Sequence, residues 1–283
     1  MTEVTTARSA LRTRPGRAGD LDPVDSTTLD GRTRDALAEL LLTMADDEFV
    51  VGFWDSEWTG IAPALEQDVA FSSLAQDEIG HARVFYELLS RLAGGDADTI
   101  AFGRQPQGYR HARLLDHPRT DWAFSVARRY LYDTADAVRL EALAGGSFMP
   151  LANLVAKIRR EETYHLAHLD AWVGRLAGGG EQPRSRLEGA LERLWTDALT
   201  VFTPLTGDAE SVLVEAGILG EPLALLAERW LKLTRGRFDA LGLHVPIELG
   251  VPRADGRSGH GADFEWLWNE FTSVYRLEPG ATW

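Results

Sequence analysis

Two short motifs in this chain place a carboxylate and an imidazole three residues apart. Glu78 precedes His81 and Glu162 precedes His165, and each glutamate directly follows another acidic residue. On an α-helix, side chains at positions i and i+3 share a face, so each pair can reach the same metal ion. Carboxylate oxygens and imidazole nitrogens suit iron or manganese. The two motifs therefore indicate a candidate metal centre.

The pattern around each motif predicts that its side chains face the protein interior. Apolar residues recur at alternating intervals of four and three around the second motif, at Leu151, Val155, Ile158, Leu169, Trp172 and Leu176. Leu74, Phe85 and Leu88 continue the first motif in the same way. A charge on such a stripe is costly to bury unless it is paired or bound to a metal.

A carboxylate-bridged di-metal bundle needs one further acid on each of two other helices. On the first predicted helix, the apolar stripe from Leu37 to Trp58 turns Asp47 inward, and a small rotation would present Glu48 instead. On the third, the stripe from Ala123 to Leu140 selects Asp133. The predicted metal ligands are therefore Asp47 (or Glu48), Glu78, His81, Asp133, Glu162 and His165.

An ion-pair network is the alternative interpretation of the same acids. In that case the acids pair with nearby arginines and the histidines complete the network. The candidate arginines are Arg128, Arg129, Arg159 and Arg160.

The elements that carry these residues are predicted to be long helices. Helical periodicity covers residues 33–57, 63–93, 121–143 and 150–177, and no segment has the alternation of a strand. Two helical hairpins joined by a long connection are the outline of a ferritin-like four-helix bundle. Additional C-terminal helices are predicted at 183–203, just after 208, at 222–241 and at 263–275. The prediction is an all-α fold, with a disordered N-terminal tail at 1–32 and one ferritin-like helical domain at 33–283.

Composition narrows the possible partners and chemistry. The formal net charge of −14 disfavours nucleic acid and anionic membrane surfaces. Cysteine is absent, which excludes disulfides, iron–sulfur clusters and thiol nucleophiles on this chain. No apolar run approaches the length of a membrane span, and the first residues lack the apolar core of a signal peptide, so we expect a cytoplasmic protein.

Four histidines in predicted loops are expected to be surface residues: His111, His117, His244 and His260.

Several stretches resemble the PaaC-type subunit of the multicomponent phenylacetyl-CoA epoxidase. The stretch EWTGIAPALEQD at 57–68, followed by 74–83, resembles the first hairpin of that subunit. Residues 127–133 leading to Tyr164-His165, and 260–276 with Pro279 and Trp283, support it. The similarity covers about residues 37–283 and leaves the N-terminal tail outside.

This resemblance implies a bacterial cytoplasmic protein of aerobic phenylacetate breakdown. In such systems a related ferritin-like subunit holds the di-iron centre and epoxidises the aromatic ring with O₂. FAD, an iron–sulfur cluster and NADPH belong to other components of the complex. The PaaC-type subunit is a structural scaffold that pairs with the catalytic one in a hetero-oligomer. Members of this type can lack the metal ligands, so a di-iron centre here would be vestigial or partly occupied. This chain departs from that pattern because it keeps both Glu-x-x-His pairs.

Three functional hypotheses follow. The first is a non-catalytic assembly subunit of the epoxidase, and we assign this chain no catalytic residue. The second is a self-sufficient di-iron oxygenase or oxidase, supported by the predicted ligands. The third is a metal-storage or peroxide-detoxifying protein, against which the additional C-terminal helices argue.

Overall fold

The computed structural model describes residues 29–245 and 255–278. Most of the predicted disordered tail lies outside the described residues. The described residues form an all-α bundle without strands, which confirms the predicted fold class. Its helices are α1 (Gly31–Ser56), α2 (Leu65–Ala93), α3 (Ala97–Phe102), α4 (Trp122–Leu143), α5 (Met149–Gly178), α6 (Glu181–Ala198), α7 (Ala209–Glu215), α8 (Leu223–Leu241) and α9 (Ala262–Leu277).

The four long helices α1, α2, α4 and α5 form two hairpins, as the sequence predicts. Asp30 begins α1 by accepting a hydrogen bond from the backbone N–H of Thr33, and Asp121 begins α4 in the same way at Phe124. The connection between the hairpins is more structured than predicted, because it contains α3 and the 3₁₀ turns Pro106–Gly108 and Arg113–Asp116.

Helix α1 is buried along most of its length. Nearly every side chain in its middle and C-terminal half is buried, whether polar or apolar. Gly52 brings α2 especially close, because a Cβ atom there would lie 2.8 Å from Cγ1 of Ile79 and 3.1 Å from Cβ of Glu78. The first hairpin is therefore packed most tightly beside one of the two motifs.

Hydrogen bonds between side chains connect the two hairpins, and the remaining helices pack against them. The indole N–H of Trp172 donates to Gln67 at 2.7 Å, and that of Trp58 donates to Ser125 at 3.0 Å. Helices α6 and α8 pack against α4 and α5, while α7 and α9 pack against α1. Among the described residues, no helix combines the length and apolar character needed to span a membrane.

Candidate metal centre

The four long helices bring five of the six predicted ligands to one buried position. These are Glu78 and His81 on α2, Asp133 on α4, and Glu162 and His165 on α5, and each is at most 4% exposed. From α1 the structure adds Glu48, the alternative to Asp47. All four helices of the bundle therefore contribute to the cluster.

The cluster divides into two overlapping groups of potential ligands. The first half-site consists of Glu48, Glu78, His81 and Glu162, and the second half-site consists of Asp133, Glu162 and His165. Within each group, one ligand atom per residue lies within 4.8 Å of the others. Glu162 belongs to both groups and so lies where a bridging carboxylate would lie.

The Nδ1 atoms of both histidines point toward the centre of the cluster. In the second half-site, Nδ1 of His165 is 3.0 Å from Oε1 of Glu162. In the first, Nδ1 of His81 is 3.5 Å from Oε2 of Glu48 and 3.6 Å from Oε1 of Glu162. These nitrogens and oxygens are buried without a hydrogen-bond partner, as is Oε2 of Glu78. Buried lone pairs that converge without partners fit a bound cation.

The outer nitrogen of each histidine contacts an acid from the other motif. Nε2 of His81 lies 2.7 Å from Oε2 of Glu161, and Nε2 of His165 lies 3.3 Å from Oδ2 of Asp77. Each acid directly precedes the buried glutamate of its own motif. Such contacts fix the ring orientation of a metal-binding histidine. These contacts explain why each motif has two consecutive acids. The first acid orients the histidine of the other motif, and the second lies in the cluster.

Asp47 is placed outside this cluster. Arg139 donates to its Oδ2 at 2.7 Å, Arg257 donates to both of its oxygens at 3.0 Å, and the backbone N–H of Ala112 adds a bond at 2.7 Å. Successive residues on a helix point about 100° apart. Glu48 therefore faces the cluster, where the hydroxyl of Tyr132 donates to its Oε1 at 2.9 Å.

One arginine lies at the edge of the second half-site. Nη2 of Arg129 is 2.5 Å from Oε1 of Glu78 and about 3 Å from both oxygens of Asp133. Its Nε lies 3.3 Å from Oδ2 of Asp55. Of the four arginines in the alternative interpretation, Arg129 alone meets the cluster in these contacts, whereas Arg159 and Arg160 are exposed.

Burial and mutual repulsion determine the protonation of the cluster. Burial, reinforced by the neighbouring Glu78, raises the pKa of Glu48 well above its ordinary value. Burial acts in the same direction on Glu78, but the guanidinium of Arg129 holds its pKa well below the ordinary value. Burial opposes the charge on His165, yet its contacts with Asp77, Glu162 and Glu78 raise its pKa to about 12. The metal-free cluster therefore keeps protons on some of its groups.

A second histidine cluster was not foreseen from the sequence. His111 is completely buried, and its ring stacks on His260 with centroids 3.8 Å apart. Both rings hydrogen-bond Oδ1 of Asp116, at 2.7 Å and 2.9 Å. The expectation that His111 and His260 are surface residues is wrong, because the segment before α9 folds back over the connection between the hairpins.

A cavity of about 310 Å³ adjoins the metal cluster. It lies between α4, α5 and α8, and Glu162 forms part of its wall. Tyr130, Thr134 and Leu233 line it, and Arg159 and Glu141 are also among its lining residues. The cavity therefore brings space for a small molecule next to a shared residue of the two half-sites.

The fold and site define a helical bundle with a buried carboxylate and histidine cluster that can hold metal, and sequence comparison gives the family. The family model described as phenylacetic acid catabolic protein matches residues 23–283. The chain is 31% identical over 252 residues to the C subunit of 1,2-phenylacetyl-CoA epoxidase from Escherichia coli (strain K12), covering 87% of this chain and 99% of that protein. It is 28% identical over 235 residues to the A subunit of the same epoxidase, covering 81% of this chain and 74% of that protein. The chain belongs to the phenylacetic acid catabolic protein family, and the predicted resemblance to its PaaC type is confirmed.

Proposed function

We propose that this chain is the structural subunit of a phenylacetyl-CoA epoxidase complex in phenylacetate catabolism. In this role it pairs with a homologue of the A subunit that carries the catalytic di-iron centre. The observation that supports this most directly is the match to 99% of the length of the C subunit, compared with 74% of the A subunit. The formal charge of −14 agrees with this role, since an acidic chain repels the anionic coenzyme A part of the substrate.

Co-expression tests this role. A tagged form of the full chain is expressed with an untagged homologue of the A subunit from the same genome and recovered on the affinity resin. We expect both proteins to elute together and to remain together during size-exclusion chromatography. The untagged partner expressed alone controls for retention by the resin. A tagged chain that elutes alone, with its folded partner in the unbound fraction, contradicts the proposal.

A second candidate function is that of an oxygenase or oxidase with its own di-iron centre. The buried ligand set and the adjoining cavity favour it, because iron bound by carboxylates and imidazoles can activate O₂. The ligands would be Glu48, Glu78, His81, Asp133, Glu162 and His165. We place this candidate second because Arg129 already contacts Asp133 and one oxygen of Glu78.

Oxygen uptake distinguishes the two candidates. The isolated chain, loaded anaerobically with Fe²⁺, is mixed with O₂, and uptake is followed with an electrode against the Glu162→Gln variant. Catalytic uptake by the wild type with an added electron donor, absent in the variant, supports the second candidate. Uptake equal to that of free Fe²⁺ supports the structural role.

A further inference from the structure

The two half-sites differ in whether an arginine of this chain already contacts the acid that belongs to that half-site alone. In the first half-site, the atoms without a hydrogen-bond partner are Oε2 of Glu48, Oε2 of Glu78, Nδ1 of His81 and Oε1 of Glu162. The second half-site has such atoms too, on Asp133, Glu162 and His165, so what sets it apart is the cation beside Asp133. The ligand atoms of this group lie within 4.8 Å of one another. An ion with metal–ligand bonds of about 2.1 Å spans about 4.2 Å between opposite ligands, so a small contraction closes this site around one ion.

In the second half-site, the guanidinium of Arg129 contacts Asp133, the acid that a metal ion there would need as a ligand. Arg129 lies about 3 Å from both oxygens of Asp133 and 2.5 Å from Oε1 of Glu78. A guanidinium has only N–H donors and stays charged, so it competes with a metal ion for the oxygens of Asp133. Glu78 belongs to the first half-site and keeps Oε2 without a hydrogen-bond partner there.

Arg129 has no open route out of this position. Its side chain is completely buried, and Asp55, also completely buried, holds its other edge. Moving the guanidinium away would break a buried ion pair and leave Asp55 with Arg128 alone, at 3.5 Å, which is destabilising. The guanidinium is therefore a fixed part of the second half-site.

We propose that this chain binds one divalent metal ion, in the first half-site, and that Arg129 permanently replaces the second ion of a di-metal centre. The ligands are Glu48, Glu78, His81 and Glu162. This donor set, rich in oxygen with one imidazole, suits Mn²⁺ or Fe²⁺. The inference concerns the isolated chain and does not depend on the proposed assembly with a partner.

Metal stoichiometry is the first test. The purified full chain is stripped with chelator, titrated with Mn²⁺ and examined by elemental analysis and electron paramagnetic resonance. We expect one ion per chain with the spectrum of an isolated Mn²⁺ ion. Two ions per chain with a spin-coupled spectrum, or the absence of tight binding, overturns the proposal.

Two conservative variants locate the ion. Glu48→Gln removes a ligand of the first half-site alone, and Asp133→Asn removes an acid of the second alone. We expect Glu48→Gln to lower Mn²⁺ affinity more than about tenfold, beyond the effect of losing an outer contact. Asp133→Asn should lower it by clearly less. The opposite order of effects places the ion in the second half-site and overturns the proposal.

A pair of double variants tests the role of Arg129. Asp55→Asn with Arg129→Gln removes the guanidinium together with the carboxylate that holds its other edge, and so frees Asp133. Asp55→Asn with Arg128→Gln makes the same change of charge but leaves Arg129 in place. We expect the first double variant to bind two Mn²⁺ ions and the second to bind one. A folded first variant that still binds one ion overturns the replacement by Arg129; if it does not fold, the stoichiometry and location tests above decide.

Discussion

Asp47 and Glu48 are neighbours on α1, and both are buried, yet they belong to opposite kinds of cluster. Both oxygens of Asp47 are bound by the guanidinium groups of Arg139 and Arg257. Glu48 receives one hydrogen bond from Tyr132 and leaves Oε2 without a hydrogen-bond partner, facing His81. In the cluster around Asp47, two arginines match two carboxylates, because Arg139 also binds Asp136. The carboxylates around Glu48 outnumber the arginines that contact them.

This difference shows that burial of an acid is a poor guide to metal binding. Asp47 and Glu48 are 0% and 1% exposed, so burial does not separate them. What separates them is whether the chain supplies the cation. A buried acid with its own arginines supports the fold, whereas a group of buried acids with unpaired oxygens is suited to receive a cation from solution.

The largest effect is expected from Asp47→Ala. This change removes the carboxylate that Arg257 and Arg139 share and leaves Arg139 with Asp136 alone, which should lower the free energy of unfolding by about 3–5 kcal/mol. Chemical denaturation followed by circular dichroism measures it. Asp35→Ala, at an exposed position of the same helix, is the control and should change stability by less than about 0.5 kcal/mol. A small loss of stability for Asp47→Ala would mean that the ion pairs of Asp47 do not support the fold, contrary to the difference proposed between Asp47 and Glu48.

Glu161→Gln should have the next largest effect, on metal affinity and not on folding. Glu161 is 57% exposed but contacts Nε2 of His81, a ligand of the first half-site. Loss of this orienting carboxylate should weaken Mn²⁺ binding about tenfold, as for other outer contacts of metal-bound histidines. Arg160→Gln, at the adjacent exposed position, is the control. Equal affinities of the two variants would show that the contact does not orient His81.

Glu48→Gln should alter the stability of the metal-free chain by less than about 1 kcal/mol, in contrast to Asp47→Ala. Burial raises the pKa of Glu48, so the glutamine amide resembles the neutral form that the metal-free cluster favours. Denaturation in the presence of chelator measures this. A loss as large as that of Asp47→Ala would mean that Glu48 also belongs to a completed ion-pair network.

The smallest effect concerns pH and the His111 cluster. Burial and the facing His260 lower the pKa of His111, although Asp116 and Asp46 oppose this. Below about pH 6.5 the unfolded chain therefore binds a proton that the folded chain does not. The free energy of unfolding consequently decreases as the pH decreases. We expect the melting temperature of the chelator-treated wild type to fall further between pH 7.5 and 5.5 than that of His111→Gln. Identical falls in the two proteins would contradict the expectation.

The sequence predicts most of the fold because the long helices are amphipathic. The predicted bounds of α4 and α5 agree with the structure within one residue, since each helix has a distinct apolar stripe. Helix α3 was missed because six residues are too few to show a helical period. On α1 the stripe favoured Asp47, but this helix is buried on nearly every side, so hydrophobicity does not identify the face that meets the cluster.

The remaining features of the site depend on contacts between distant segments. Arg129 and Asp133 are four residues apart, which the sequence shows, but Glu78 and Asp55 reach Arg129 from other helices. Arg257 reaches Asp47 across 210 residues. No local pattern separates Arg129 from Arg159 as the arginine that enters the cluster.

The crossed contacts of the histidines with Glu161 and Asp77 have a consequence for the order of folding. These contacts join residues 80 and 88 positions apart, and each hairpin supplies the acid that the histidine of the other requires. Contacts between such distant residues form late, because chain entropy must first be lost. Neither hairpin completes an oriented ligand set before the two have docked. Metal uptake during refolding should therefore mark the docking step and follow the formation of the helices.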